Sequence, residues 1–189
     1  EGSGALTPTN PVTLVYDNGE GLTFRRTITV DKDYLFTLKD EVANSGGTPV
    51  TLYPFGLVSR HGAPAISGYY LLHEGFVGVL GEQGLQDYSY SKLDEKKVIN
   101  FKATNGWLGI TDKYWAAALI PPTDAELQAR YSANAAGAKT NYQADYLLPA
   151  QTVAPGASTS TEARLFAGAK EARIVGLNFP VFELGGYKQ

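Results

Sequence analysis

Residues Asn105–Pro121 read NGWLGITDKYWAAALIP, and this run decides the fold class. It holds both tryptophans of the chain, Trp107 and Trp115, between an Asn-Gly dipeptide and the Pro121-Pro122 pair. Asn-Gly ahead of an apolar run marks entry into a strand. Pro121 and Pro122 lack the N–H that a ladder needs, so a strand beginning near Tyr114 must end there. Gly106 and Gly109 would weaken a helix, whereas Trp, Ile and Tyr suit a pleated surface. The spacing therefore predicts two strands, Trp107–Thr111 and Tyr114–Ile120, joined by a short turn at Thr111, Asp112 and Lys113.

The same reasoning extends outward. Residues 1–11 are rich in Gly, Pro and small polar residues and read as a flexible lead-in, with a single domain over 12–189. Val12–Tyr16 and Leu22–Val30 form a hairpin about Asp17, Asn18 and Gly19; Leu22, Phe24, Ile28 and Val30 share one face and Arg26 interrupts it. Tyr34–Val42 and Val50–Val58 are expected to make a second hairpin around Asn44–Gly47. Gly68–Leu80 is a long apolar run in which Gly75 and Gly78 suggest a bulge or bend. Gln86–Ser91 and Lys97–Ala103 continue the strands. Asp124–Ala138 favours a helix by propensity at Glu126–Arg130, but a strand closing on Thr140–Leu148 is preferred. After a turn at Ala154–Gly156, Ser158–Ala167 is a strand, with Thr161, Ala163, Leu165 and Ala167 alternating against Ser160, Glu162, Arg164 and Phe166. The result is an all-β antiparallel sandwich with few or no helices.

Composition excludes several classes. With 189 residues and 43 % hydrophobic content the chain can bury a sizeable core. Charged residues reach only 19 %, against 21 Gly, 12 Tyr and 10 Pro, which favours strands and turns. The net charge is −3, and no basic cluster exceeds Lys96-Lys97, so a nucleic-acid surface is not expected. There is no cysteine, hence no disulfide and no thiolate or zinc-finger chemistry. No apolar stretch approaches the roughly 20 residues that span a bilayer as a helix.

Several motifs resemble the large periplasmic domain of the YidC family of bacterial membrane protein insertases, in its alphaproteobacterial form. They are Asn105–Pro121; Asp17–Phe24, which reads DNGEGLTF; Val30-Asp31; Tyr34–Thr37; Val42–Asn44; Ser59–Gly62; Gly68–Gly75; Tyr142–Tyr146; and Phe166–Lys170. They follow the family's order from about Leu14 to Lys170. The resemblance implies a twisted two-sheet supersandwich, akin to the galactose-mutarotase fold. In the family, a transmembrane helix and further strands precede this region, and a short helix with an Asp-Trp-Gly run follows it. The chain is therefore expected to be a piece of that domain, short at its N-terminus. The implied setting is the periplasm, within an inner-membrane multi-pass protein. The implied work is non-catalytic: docking to the Sec accessory subunits SecF and SecD, or chaperone-like handling of translocated nascent membrane proteins.

Candidate chemistry is thin. His61 and His73 have no metal-binding spacing, so no metal or cofactor is expected. His73-Glu74 invites comparison with aldose epimerases, which use a histidine acid and a glutamate base. Adjacent strand residues point to opposite faces, however, so the two could not flank one sugar ring. A carbohydrate-binding or epimerase-like protein of the same fold is the rival reading, with His73 and Trp107 as its test positions. Ser59–Gly62 lacks a Gly-x-Ser-x-Gly elbow, and Gly78–Gly84 lacks the Gly-Lys-Ser/Thr of a phosphate loop. No catalytic residue is assigned. Tyr69, Tyr70, Tyr88 and Tyr90 lie in segments expected to be partly exposed, and with Trp107 they are the candidate partner-binding residues. By position, the family's SecF-contact region falls between Ser67 and Gly106.

Overall fold

Asn105 takes left-handed backbone, φ 66°, and its amide donates to Asp124 Oδ1 at 3.1 Å while its side-chain oxygen accepts from the Asp124 N–H. This clasp launches strand β9 (Gly106–Thr111), which turns into β10 (Trp115–Ile120). The two pair antiparallel, with Leu108 opposite Leu119 and Thr111 opposite Ala116. Gly109 is required: a Cβ there would run into the main-chain oxygen of Ala117 across the ladder. Pro121 ends β10 as expected.

The structure, a computed structural model, describes residues 4–64, 73–137 and 139–170. The other strands are β1 (Val12–Asp17), β2 (Leu22–Val30), β3 (Leu35–Asn44), β4 (Val50–Leu52), β5 (Phe55–His61), β6 (Gly75–Leu80), β7 (Leu85–Ser89), β8 (Val98–Thr104), β11 (Glu126–Ala136), β12 (Lys139–Leu147), β13 (Gln151–Val153) and β14 (Ser158–Ala169). Among the described residues one helix, α1 (Tyr90–Lys96), joins β7 to β8, and a 3-10 turn covers Gly81–Gln83. An eight-stranded sheet runs β1-β2-β3-β14-β10-β9-β6-β7, and a four-stranded sheet runs β5-β12-β11-β8. A small ladder joins β13 to β4. Within the lead-in, Thr7 and Asn10 form an isolated bridge.

The first hairpin, the β9–β10 pair and the Glu126–Ala136/Lys139–Leu147 hairpin follow the sequence reading. The second hairpin does not. β3 pairs with β2 and β14, β4 with β13, and β5 with β12 in the other sheet. Pro54 breaks the run Val50–Val58, and the chain changes sheets there. Gln86–Ser91 also fails as one strand. Ser89 caps α1, its hydroxyl accepting from the Lys92 N–H at 3.3 Å, and Tyr90 begins the helix. The run Gly68–Leu80 is described only from His73 onward, with β6 starting at Gly75.

The main core lies between the two sheets. Phe76, Leu108, Ile110, Leu119 and Leu165 from the large sheet meet Phe101, Tyr131, Tyr142 and Tyr146 from the small one. The Phe76 and Tyr131 ring centres lie 4.9 Å apart. A second cluster sits on the opposite face of the large sheet, where Val77, Trp107, Ala118 and Phe166 pack together. Phe166 thus belongs to the outward set of β14, yet it is buried.

Candidate functional site

Of the residues nominated from the sequence, the three that are described, Tyr88, Tyr90 and Trp107, do not share one exposed surface. Tyr90 is only 7 % exposed. Its ring centre lies 4.6 Å from that of Tyr142, and its hydroxyl donates to Asp112 Oδ1 at 2.7 Å. Burial, followed by the bond to Asp112, pushes the Tyr90 phenol well above its usual range. Arg60 stacks 6.0 Å from the same ring centre and pairs with Asp112 Oδ2 at 2.6 Å. The expectation of a partly exposed Tyr90 is therefore corrected: at the start of α1 its ring packs into the core between the sheets, against Phe76 and Tyr142.

Trp107 is likewise 7 % exposed, packed in the second cluster. Tyr88 is half-buried, with Lys96 lying 5.7 Å from its ring centre. Tyr69 and Tyr70 lie outside the described residues. His61 Nδ1 meets Asn141 Oδ1 at 2.8 Å and His73 Nε2 meets the Phe76 carbonyl at 2.8 Å, so both rings have local structural partners. Among the described residues, no group of three or more His, Asp or Glu side chains could hold a metal ion.

The apolar surface gathers elsewhere. Register places Leu14 and Tyr16 of β1 beside Arg26 and Phe24 of β2, then Asp40 and Val42 of β3, then Thr161 and Thr159 of β14. All face a groove of about 470 Å³ whose far wall is Tyr53, Pro54 and Phe55. Tyr16 is 65 % exposed and Phe55 63 %, and Leu14, Tyr53 and Leu57 are exposed nearby. On the floor, Arg26 meets Asp40 in a two-pronged pair at 2.6 and 2.8 Å. This pair raises the guanidinium pKa further. Gln151 bridges Thr159 and Thr161 at 2.9 and 3.1 Å.

A second hollow, about 510 Å³, opens at the other end of the sandwich between Arg60, His61, Asp112 and Trp115.

Strand β1 is the edge of the large sheet. Antiparallel bonding alternates, and the hairpin bond from Asn18 N–H to Leu22 O fixes its phase. Tyr16 and Leu14 therefore bond to β2, while Val15 and Asp17 turn their main-chain N–H and C=O groups outward. Among the described residues, the groove thus has an open ladder along one lip. Sequence reasoning missed it because Tyr53–Phe55, its far wall, was assigned to the interior of a hairpin strand.

A family model described as the YidC periplasmic domain matches residues 1–184. The chain is 69 % identical over its full length to the membrane protein insertase YidC of Nitrobacter hamburgensis, covering 31 % of that protein. It is 65 % identical to the corresponding protein of Bradyrhizobium diazoefficiens, again over the full chain and 30 % of the relative. The chain thus spans under a third of the length of these relatives. Among solved structures, a galactose mutarotase related enzyme from Lactobacillus acidophilus superposes with a TM-score of 0.61 at 10 % identity, covering 90 % of this chain and 73 % of that one. A galactose mutarotase-like protein from Lactobacillus casei gives 0.54 at 10 % identity, covering 83 % and 69 %. Those likenesses show the fold, a mutarotase-like supersandwich, and nothing of chemistry. The relatives carry the name of an insertase and not of a sugar enzyme, and on the family match and these identities the chain belongs to the YidC periplasmic domain family.

Proposed function

We propose that this domain serves a membrane protein insertase as a non-enzymatic periplasmic docking module, meeting the Sec accessory subunits SecF and SecD or holding translocated segments of nascent membrane proteins. The observation that carries this reading is the open groove, with exposed Leu14, Tyr16, Tyr53 and Phe55 beside the edge of β1, which no strand of the described residues pairs. Contiguous exposed apolar surface beside free backbone groups suits an extended polypeptide added as a further strand. Backbone bonding gives such a site low sequence selectivity, which suits a partner that changes with every client. Among the described residues no helix is long and apolar enough to cross a membrane, and insertion itself is assigned to the remainder of the full-length protein.

The test is site-specific photocrosslinking in cells from Tyr16, Phe55 and Tyr88 of the full-length protein, with the exposed Glu162, on the face of β14 away from the groove, as a control position. Tyr88 represents the Ser67–Gly106 region expected to meet SecF. Adducts with SecF, SecD or nascent membrane proteins from the groove or from Tyr88, and not from Glu162, are expected. If all of these positions give only the Glu162 pattern, the docking reading fails. Calorimetric titration with galactose and glucose should give no binding heat; millimolar or tighter affinity would favour a sugar-binding role instead.

A further inference from the structure

A sheet with one solvated face alternates buried and exposed side chains along each strand, whereas strands covered on both sides stay buried throughout. Strands β6 and β9 are of the second kind. Their inward residues Phe76, Leu108 and Ile110 join the main core, but Val77, Trp107 and Thr111 are buried on the outer face too. Ala118 of β10 and Phe166 of β14 share that face, and Phe166 is only 1 % exposed. Register sets Val77, Gly109, Ala118, Phe166 and Leu35 side by side in one row across five strands. Gly75, Thr111, Ala116 and Gly168 make the next row, so small residues form the centre of a shallow floor.

Every member of this outer cluster, and every partly buried residue packed against it, belongs to the large sheet itself. Neighbours on one sheet face stand side by side about 5 Å apart and leave their tips open to water. They cannot bury one another. The small sheet and α1 lie on the inner side, where they complete the main core. Bonds from Gln151 to Thr159 and Thr161 hold the β4–β13 ladder on the groove side. The outer burial is reached within a single chain, so no second molecule is needed to explain it. Residues 171–189 follow Lys170, whose N–H donates to Tyr114 O at 2.9 Å and extends the β14–β10 ladder. They therefore leave the sheet close to Gly168 and Phe166. Trp107 lies two strands over and five residues along from there, a distance of roughly 20 Å that about six extended residues span. Residues 174–184 read IVGLNFPVFEL and hold a single charged side chain, Glu183. Burying such a run against an apolar floor is favourable by about 25 cal/mol per Å².

We propose that residues 174–184 dock on this outer face and cover Val77, Trp107, Ala118 and Phe166, so that the large sheet is sealed on both sides. The stretch 65–72 is the alternative cover. It is tied at Pro64 after β5 and at His73 before β6, and must bridge from the small sheet to the large one. That leaves less chain to spread over the floor. This face lies opposite the groove, and its cover is independent of what docks there.

The chain has no cysteine and two tryptophans, so Trp115→Phe leaves Trp107 as the sole fluorophore and single cysteines can be labelled cleanly. The full chain is used. A nitroxide, which quenches at short range, is attached at Asn178→Cys or Glu183→Cys, and in a third protein at Ser67→Cys. Trp107 emission should fall severalfold with either C-terminal label relative to the unlabelled protein, and far less with the label at position 67. Ending the chain at Lys170 should raise acrylamide quenching of Trp107 severalfold, with circular dichroism showing whether the strands persist. If that shorter chain does not fold, the labelled full chains decide. No quenching from either C-terminal label overturns the proposal, as does stronger quenching from position 67, which would assign the cover to 65–72. Undiminished protection of Trp107 in a folded chain ending at Lys170 overturns it as well.

Discussion

The Tyr90 hydroxyl donates to Asp112 Oδ1 at 2.7 Å, and through this bond helix α1 is tied to the β9–β10 turn. Asp112 also receives Arg60 from β5 at 2.6 Å, so one carboxylate links the helix, the large sheet and the small sheet. The Tyr142 hydroxyl reaches back to Asp94 of α1 at 3.0 Å, which closes the same knot.

Tyr90→Phe should therefore destabilise the fold by about 1–3 kcal/mol, the range for losing a hydrogen bond to a charged group. Urea denaturation of Tyr90→Phe, Asp112→Asn and the double variant should show coupling of about 0.5–3 kcal/mol. Simple additivity would mean that the bond does not form in solution.

Glycine positions separate close approach from open space. Gly78→Ala would place a Cβ 2.6 Å from both the Trp107 carbonyl oxygen and the Tyr131 hydroxyl. That overpacking should cost about 1–3 kcal/mol. Gly47→Ala meets nothing within 4 Å and should lie within about 0.5 kcal/mol of the parent, the usual range for a surface change. Thermal melts of the two variants will rank them; equal melting temperatures would contradict the register of β6 against β9.

Alkaline pH should unfold the domain through its buried phenols. Burial first, then the nearby Asp40 carboxylate, pushes Tyr146 up to about 12, and desolvation raises Tyr90 and Tyr131 beyond the usual range. A folded-state pKa above the unfolded value means that the neutral phenol contributes stability in full below about pH 10. That contribution is lost as pH rises towards 12, at up to about 1.4 kcal/mol per pH unit per tyrosine. Tyr146→Phe should flatten the decline in urea midpoint between pH 10 and 12 without altering the curve at pH 7–9 beyond a constant offset. An unchanged slope would place the ring in solvent.

The ion pair on the groove floor should matter little for stability. Arg26 and Asp40 are both partly exposed, at 49 % and 42 % of their side chains, and such pairs are worth about 0–1 kcal/mol. Arg26→Gln should therefore leave the urea midpoint nearly unchanged. A loss above about 2 kcal/mol would show that the groove is closed over the pair in solution.

Local punctuation made much of this fold readable in advance. The Asp17–Gly19 and Asn105-Gly106 turns and the Pro121 stop act within a few residues of themselves, so their strands appeared where expected. Helix α1 was missed because seven residues between strands present little periodicity; its signal was Ser89 as a cap ahead of Lys92–Lys97. The false hairpin of Tyr34–Val42 with Val50–Val58 had sound turn chemistry, but β3 finds β14, with Glu41 opposite Ser160. Nothing near Glu41 announces that partner. Exposure of the nominated rings was less legible, since whether a tyrosine faces solvent depends on what packs over it. Tyr90 went inward, whereas Tyr114 and Trp115, first read only as strand formers, stayed outside.

From its amino acids alone this chain was bound to form antiparallel strands, because turn residues and alternating side chains act over a few bonds. Its order of motifs likewise sufficed to place it in its family. Which strand lies beside which, where the groove opens and which rings meet water were settled only on folding. Those outcomes depend on contacts between residues distant in sequence, where burial of apolar area and pairing of backbone groups must be satisfied across the whole sandwich at once.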